Sequence, residues 1–379
     1  MKDVKLRCSA CGRTYEVPVQ RCECGEPVEF ELFKGEPYLG KTVWERFWDF
    51  WPVEPVEELS LGEGDTPLVR SRLGDEFGVK LYLKNETVNP TWSFKDRGTF
   101  LAISYALKEG YKIVGTVSTG NMAASVSAYA SRAGLRAKIL VSKSTSDEKL
   151  KAISVYDGET IRVRGDYGRL YFESLKLGEK LGLYFINSDN PFRIEGYKGI
   201  AFEIAEEVSP DYVLIPTSSG GLFRGIAKGF IELHGSGLIE ELPRLIAVQA
   251  EGCSPICRAF REGKERIERF ENPKTMAKAI ANPYPPSGNA VLRLMRDFGW
   301  GCVAVSDDEI CEAQARLARE GLFVQPASAT GVAAMKKLDF PEGVRVVSIL
   351  TGSGLRALKG APSGEARECA LEDIENCLR

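Results

Sequence analysis

From about residue 80 onward, short apolar, β-branched runs alternate with helix-period segments, and this alternation constrains the chain more than anything else in it. Lys112–Val117, Ala137–Val141, Tyr212–Pro216, Leu245–Gln249 and Val344–Leu350 are rich in Val, Ile and Leu and too short for helices, which predicts buried strands. Thr99–Lys108, Met122–Ala133, Leu170–Leu181, Gly196–Val208, Leu222–Leu233 and Asp307–Arg319 lie between or beside them and predict helices. A β-α-β-α order implies mostly parallel sheet with helices on both faces, because parallel neighbours need a crossover that then covers the sheet. The expected fold class is therefore α/β. At 379 residues and 44% hydrophobic content, the chain is long enough for two or three packed domains.

Composition removes several function classes. The formal net charge is −3, so no overall basic field holds a polyanion. No apolar run reaches the ~18 residues of a membrane span. The opening Met1–Cys8 lacks a signal-peptide core, and the expectation is a cytoplasmic protein. The one histidine, His234, rules out a zinc site with two His ligands. It stands before Gly235 at a predicted helix end, where a surface position is expected. Of the 10 cysteines, four lie in the first 24 residues and six scatter. That pattern fits metal binding plus reduced thiols rather than a disulfide framework.

Cys8-Ser9-Ala10-Cys11-Gly12 and Cys22-Glu23-Cys24-Gly25 have the spacing of a zinc ribbon, shortened in the second pair. Four thiolates complete a tetrahedral shell and leave no open position, so the metal expected is structural Zn2+. The other reading is four free cysteines. Residues 36–60 carry Trp44, Phe47, Trp48, Phe50 and Trp51, an arm whose aromatics are expected to pack on the body or on a partner chain. The segment Phe260–Gly288, charged and then rich in Pro and Asn, is a candidate mobile loop over a site. Glu365–Arg379 has the pattern of a short amphipathic helix.

Four short segments carry candidate chemistry. In Asn89–Gly98, Lys95 follows an Asn-Pro turn and stands between Phe94 and a charged pair; desolvation or a nearby cation makes such a lysine nucleophilic, while most lysines are merely solvated. Ser118-Thr119-Gly120-Asn121 and Ser218-Ser219-Gly220-Gly221-Leu222 each follow a predicted strand and open a helix, where backbone N–H groups favour an anion. Thr351-Gly352-Ser353-Gly354 ends the last strand. Together they put a lysine and three polar, glycine-containing turns at one end of parallel strands. A phosphate-bearing carbonyl cofactor needs that arrangement.

On these segments the sequence resembles the threonine synthases, within the tryptophan-synthase-β-like, fold type II pyridoxal-5′-phosphate (PLP) enzymes. Asn89–Gly98 is similar to the family's PLP-lysine motif and Thr119-Gly120-Asn121 to its ring loop. Asn187-Ser188-Asp189-Asn190-Pro191-Phe192-Arg193 resembles a stretch particular to threonine synthases, and Gln249–Gly252 and Pro326–Ala329 are further matches. The resemblance implies two open α/β domains with the cofactor between them. Residues 1–30 would form the zinc ribbon and 31–379 the catalytic region. Within it, about 95–190 would be the smaller α/β subdomain, and 31–94 plus 191–379 the larger. Lys95 would carry the cofactor as a Schiff base and shuttle protons. Asn121 would meet its 3′ oxygen. Ser218, Ser219, Gly220, Gly221 and Leu222 would hold its phosphate, and Thr351 its ring nitrogen. Ser93, Ser118, Thr119, Asn187, Ser188 and Arg193 would bind substrate, with Asn187, Ser188 and Arg193 on its phosphate.

The implied reaction converts O-phospho-L-homoserine and water to L-threonine and phosphate, in a homodimer that binds neither nucleic acid nor membrane. Some positions depart from the family's pattern. Trp92 stands where glycine is usual, Met122 where a small hydroxyl residue is common, Ser218–Leu222 where a Gly-Asn-x-Gly-Asn run is common, and Ser353 where asparagine is frequent. These changes bear on the substrate and keep two alternatives in view: β-replacement on O-phosphoserine, as in a cysteate-synthase-type reaction, and serine/threonine deamination. A ribbon used for nucleic-acid recognition is the non-enzymatic alternative. The small basic surplus of residues 1–24, without stacking aromatics, argues against it.

Overall fold

The computed structural model of the chain describes residues 5–357 except 144, 146 and 166; the helix expected at Glu365–Arg379 lies outside the described residues. The head is a small antiparallel sheet of β1 (Leu6–Cys8), β2 (Thr14–Tyr15) and β3 (Val28–Phe30) in the order β2-β1-β3. Next comes the aromatic arm, with the short helix α1 (Val43–Arg46). Its aromatics pack on the body. Phe47 stacks on Phe202 at 4.5 Å, Trp44 lies 4.8 Å from Phe100, and Trp51 is fully buried with its indole N–H donating to the Trp44 carbonyl.

Two sheets follow. The chain enters the larger one through β4 (Leu68–Ser71) and β5 (Lys80–Asn85), then leaves it along α2 (Lys95–Lys108). It builds the smaller sheet from β6 (Ile113–Val117), α3 (Asn121–Arg132), β7 (Arg136–Ser142), α4 (Asp147–Ser154), β8 (Glu159–Val163), α5 (Tyr167–Leu181) and β9 (Tyr184–Phe185). It returns along α6 (Pro191–Glu207). The larger sheet is then completed by β10 (Tyr212–Pro216), α7 (Gly221–Gly235), β11 (Arg244–Ala250), α8 (Pro255–Arg261), α9 (Gly288–Asp297), β12 (Gly301–Val305), α10 (Asp307–Arg319), α11 (Pro326–Ala334) and β13 (Arg345–Leu350).

The smaller sheet, β8-β7-β6-β9, is wholly parallel. The larger, β12-β11-β10-β13-β5-β4, is parallel except at its edge, where β4 runs antiparallel to β5. That edge departs from the parallel reading for a local reason. A tight 3-10 connection, Arg72–Phe77, ending on left-handed Gly78, is too short for a crossover.

The two connections between the sheets, α2 and α6, cross closely. A Cβ on Gly98 would lie 2.8 Å from the Arg193 carbonyl, and one on Gly196 2.4 Å from the Arg97 carbonyl. Only glycine permits that approach, and it sets Lys95 beside Arg193. Buried charge reinforces the crossing. Arg97 on α2 donates to Glu86 (2.7 and 2.8 Å) and to Glu203 on α6 (2.8 Å), while Lys84 on β5 meets Glu203 at 2.8 Å. Such a network is tolerable in a core only because every charge has a partner.

Two expectations need correction. The scattered cysteines are not all free thiols, for Cys257 on α8 and Cys302 on β12 form a disulfide across a separation of 45 residues. The residues 260–288 do not form a loose loop. Ile267, Thr275, Ala277, Ile280 and Ser287 are buried within them, and the Lys274 carbonyl sits so close to Gly252 that no side chain would fit there. His234 is exposed in the last turn of α7.

Candidate active site

Lys95 is held by a turn that closes on itself and on the end of β13. Trp92 N–H donates to the Asn89 carbonyl at 2.7 Å. Asp96 accepts from both the N–H and the hydroxyl of Thr91 at 2.6 Å. Phe94 N–H donates to the Thr351 carbonyl (3.1 Å) and Ser353 N–H to the Trp92 carbonyl (3.0 Å), with a bridge between Ser93 and Gly352. Trp92 pays for this path with a φ of +64°, a left-handed conformation that costs a non-glycine residue roughly 1 kcal/mol. Its side chain is half exposed.

The Lys95 amine lies 4.2 Å from the centre of the Phe94 ring and 5.8 Å from that of Tyr197. Among the described residues no carboxylate pairs with it. Removal from water, followed by the positive charge of Arg193, lowers its pKa to about 7. At neutral pH the amine is thus half in the nucleophilic, proton-accepting form.

The other turns converge on the same strand ends. Asn121 opens α3, and its amide exchanges hydrogen bonds with that of Gln325 at 3.0 and 3.2 Å. Arg356 donates to the Asn121 oxygen at 3.1 Å. Ser118 and Thr119 are half-buried, and Gly120 faces open space. The Thr351 hydroxyl is 2.8 Å from that of Ser328, which also receives the Gly352 N–H at 2.9 Å. The Ser93 hydroxyl is fully buried and has no hydrogen-bond partner among the described residues.

At Ser218-Ser219-Gly220-Gly221-Leu222, α7 begins on Gly220 at φ +92° without a side-chain cap, so the first N–H groups of a 15-residue helix are free to receive an anion. The segment before α9 braces this turn from behind. Ser287 N–H donates to the Ser219 carbonyl (3.0 Å) and Asn282 to its hydroxyl (3.2 Å).

The Asn187–Arg193 stretch passes directly behind these groups. Asn190 caps α6 by accepting from Phe192 N–H and Arg193 N–H, and Pro191 fits the first turn. The Ser188 carbonyl packs against Gly221, where a Cβ would come within 2.6 Å. Ser188 itself is half-buried, but Asn187 and Arg193 are fully buried. Asn187 is engaged by Val117 N–H (3.0 Å) and Ser174 (3.0 Å). The Arg193 fork is not turned outward. It donates to Thr99 (2.8 Å), Tyr197 (2.6 Å) and the Lys95 carbonyl (3.4 Å). The polar atoms of Asn187 and Arg193 are thus engaged with the protein itself, Asn187 at the end of β6 and Arg193 at the crossing of α2 and α6.

Gln325, Ser328, Arg356, Tyr197 and Thr99 join the site without having been singled out from sequence. Only Ser328 lay in a matched stretch, Pro326–Ala329. At the head, Cys8, Cys11, Cys22 and Cys24 bring their sulfurs within 4.8 Å of one another, with Cys8–Cys24 at 3.5 Å and Cys11–Cys22 at 3.6 Å.

The site fits a phosphate-bearing aldehyde. It offers a desolvated amine for the aldehyde and an uncapped helix start for the phosphate. The orphaned Ser93 hydroxyl is a buried polar group whose cost, roughly 1–3 kcal/mol, a bound partner would remove.

Comparisons with known proteins point the same way. Residues 59–352 match the family described as pyridoxal-phosphate dependent enzyme. The chain is 38% identical to the threonine synthase of Methanocaldococcus jannaschii, over 98% of this chain and 99% of that one. It is 34% identical to the threonine synthase of Methanosarcina acetivorans, over 88% and 86% respectively. Among solved structures, a T.th. threonine deaminase matches with a TM-score of 0.65 and 27% identity, covering 79% of this chain and 94% of that one.

Proposed function

This chain belongs to the pyridoxal-phosphate dependent enzymes and, among them, to the threonine synthases. From that premise we propose that it converts O-phospho-L-homoserine and water to L-threonine and inorganic phosphate, as a carbon–oxygen lyase. The observation that carries the reading is the Lys95 amine, brought to a pKa of about 7 and stapled to the end of β13 in a chain so like threonine synthases over nearly its whole length.

When bound, PLP supplies a carbonyl for amines and a ring that accepts the electron pair released at the substrate's α-carbon. The chain does the rest. Lys95, its pKa lowered to about 7 by burial and by Arg193, takes and returns protons at the substrate's α-carbon and beyond it. Burial, and after it the charge of Arg193, keeps that amine from being fully protonated, and Arg193 also fixes the start of α2 through the Lys95 carbonyl. We assign the cofactor phosphate to Ser218–Leu222 and the free N–H groups of α7. We assign the cofactor's ring to Asn121 and Thr351, each oriented by a partner, Gln325 and Ser328. Ser93, Ser118, Thr119 and Ser188 are assigned to substrate contact, with Asn187 and Arg193 holding them in place.

We further assign one structural Zn2+ to Cys8, Cys11, Cys22 and Cys24. Zn–S bonds of about 2.3 Å in a tetrahedron put sulfurs roughly 3.8 Å apart. Two of the sulfur pairs, at 3.5 and 3.6 Å, are close to that spacing. Metal analysis should return one zinc per chain, and none after Cys11→Ser with Cys24→Ser. The domain division given above goes with this reading, since all strands of the smaller sheet fall within 95–190. So does a cytoplasmic homodimer that uses neither nucleic acid nor membrane. No helix among the described residues is long and apolar enough to cross a membrane.

The test is a substrate panel on the purified, cofactor-loaded protein: O-phosphohomoserine, O-phosphoserine with sulfite, serine and threonine, reading phosphate, ammonia and the product amino acid. Threonine and phosphate in equal amounts from the first substrate are expected, with Lys95→Ala abolishing both the product and the visible absorbance of the bound cofactor. Ammonia as the main product, or phosphate released only from O-phosphoserine, would overturn the assignment.

A further inference from the structure

The cysteine head does more than sit on the surface. Arg21, the residue before Cys22, reaches out of it and into the back of the active site. Its side chain is mostly buried, and its guanidinium pairs with Asp189, whose carboxylate is fully buried. The same guanidinium donates to the Pro286 carbonyl from both terminal nitrogens at 3.3 Å, lies 5.4 Å from the centre of the Phe172 ring, and is anchored at its own end by Nε to the Gly25 carbonyl at 3.1 Å.

Both outer partners are next to site residues. Asp189 follows Ser188, whose carbonyl packs on Gly221. Pro286 precedes Ser287, whose N–H holds the Ser219 carbonyl. One fork thus spans the loop carrying Ser188, assigned to substrate contact, and the segment bracing the turn assigned to the cofactor phosphate. Asp189 has no other cation in an ion pair among the described residues, and its second oxygen is buried without a partner. Loss of Arg21 would leave a buried carboxylate unpaired, which forces rearrangement rather than tolerance. The rest of the head docks on the same wall. Glu26 accepts from Asn289 at 2.7 Å, and Arg224 on α7 joins Glu29 (3.0 Å) to Ser287 (3.0 Å).

We propose that Arg21 is a positioning residue that couples the folded, metal-bound cysteine head to the grip on substrate phosphate. The proposal rests on the reading above of Ser188 as a substrate contact, here to the substrate's phosphate. Because Arg21 adjoins a thiolate ligand and Gly25 closes the knuckle after Cys24, filling the metal site fixes where the guanidinium stands, and through it Asp189 and Ser188.

The test uses the holoenzyme with inorganic phosphate as probe, by calorimetry, alongside KM and kcat for O-phosphohomoserine and zinc content. Arg21→Ala should keep its zinc and a near-normal kcat while KM and the phosphate Kd rise about tenfold or more, the weight of a lost charge-assisted hydrogen bond. Arg21→Lys should recover part of this, since an ammonium can reach Asp189 but not span to Pro286 as well. Asp189→Asn, which keeps shape and removes charge, should weaken phosphate in the same direction and serves if Arg21→Ala does not fold. Stripping zinc from the wild type should weaken phosphate comparably and add little in Arg21→Ala. A changed melting temperature with unchanged KM and phosphate affinity would overturn the proposal. So would equal further weakening on zinc removal in both proteins. Phosphate binding that depends on Arg21 in a protein making no threonine would instead retain the coupling and sink the catalytic reading.

Discussion

Loading the cofactor-free protein with PLP across a pH series isolates the basicity of Lys95. An ordinary lysine is neutral in only about 0.04% of molecules at pH 7, whereas a group with a pKa of about 7 is half neutral, a gain on the order of a thousandfold in reactive amine. The loading rate, followed by the growth of visible absorbance and divided by the rate with a weakly basic alkoxyamine to remove the cofactor's own titration, should rise about tenfold per pH unit below 7 and less than about threefold in all above it. Burial is the first cause of the shift and Arg193 the second, so Arg193→Gln should move the bend upward without abolishing it. A rate that keeps climbing tenfold per unit through pH 9 would mean a solvated amine, and the reasoning about this site would be wrong. The sign for stability follows from the same shift. The folded pKa lies below the unfolded one, so the unfolded chain binds the extra proton between about pH 7 and 10.4, and the cofactor-free protein gains stability as pH rises through that window.

Glu63 gives the opposite slope. Burial raises its pKa to about 7, so its contribution is present below about pH 4.3 and lost as pH rises through 7; Glu63→Gln should flatten that part of a stability profile from urea unfolding, by on the order of 4 kcal/mol at most, and an unchanged slope would count against it. Gly221→Ala would put a Cβ 2.6 Å from the Ser188 carbonyl, and an absorbance titration should show PLP bound about fivefold to 150-fold more weakly, from an overpacking cost of about 1–3 kcal/mol; wild-type affinity would show that the turn does not hold the phosphate. Arg97→Met leaves Glu86 and part of the Glu203 charge unpaired in the core and should cost about 3–5 kcal/mol in urea unfolding, where a loss under about 1 kcal/mol would show the network to be incidental.

Periodicity carried much of the fold. Tyr212–Pro216 and Asp307–Arg319 have the same ends in sequence and structure, and the other named strands and helices differ by a few residues, mostly at helix starts, where capping rather than hydrophobic pattern sets the boundary. Short or irregular pieces escaped. β9 has two residues and β4 has a weak inside–outside pattern, Leu68 to Ser71, so neither offers a period to read. The Cys257–Cys302 pair had no spacing signal, because its partners meet through the sheet rather than along the chain. The turn that carries Lys95 and the glycine turns at strand ends were legible as motifs. The direction of Arg193 was not, since it depends on Gly98 and Gly196 letting two helices touch. Arg21 reaching Asp189 across 168 residues is likewise a product of docking, invisible to any local pattern.

The glycine crossing of α2 and α6 also bears on how such a molecule can change over evolutionary time. Lys95, proposed above as the base, is aimed by backbone contact and by charges sealed in the interior. Apart from Ser93, which shares the turn of Lys95, the residues assigned to substrate hang in turns from strand ends, Ser118 and Thr119 after β6 and Ser188 after β9. Mutational drift in those turns can therefore alter which amino acid is accepted while the proton-transfer apparatus is inherited intact, whereas a single methyl group at Gly98 or Gly196 would disturb every reaction the scaffold could host.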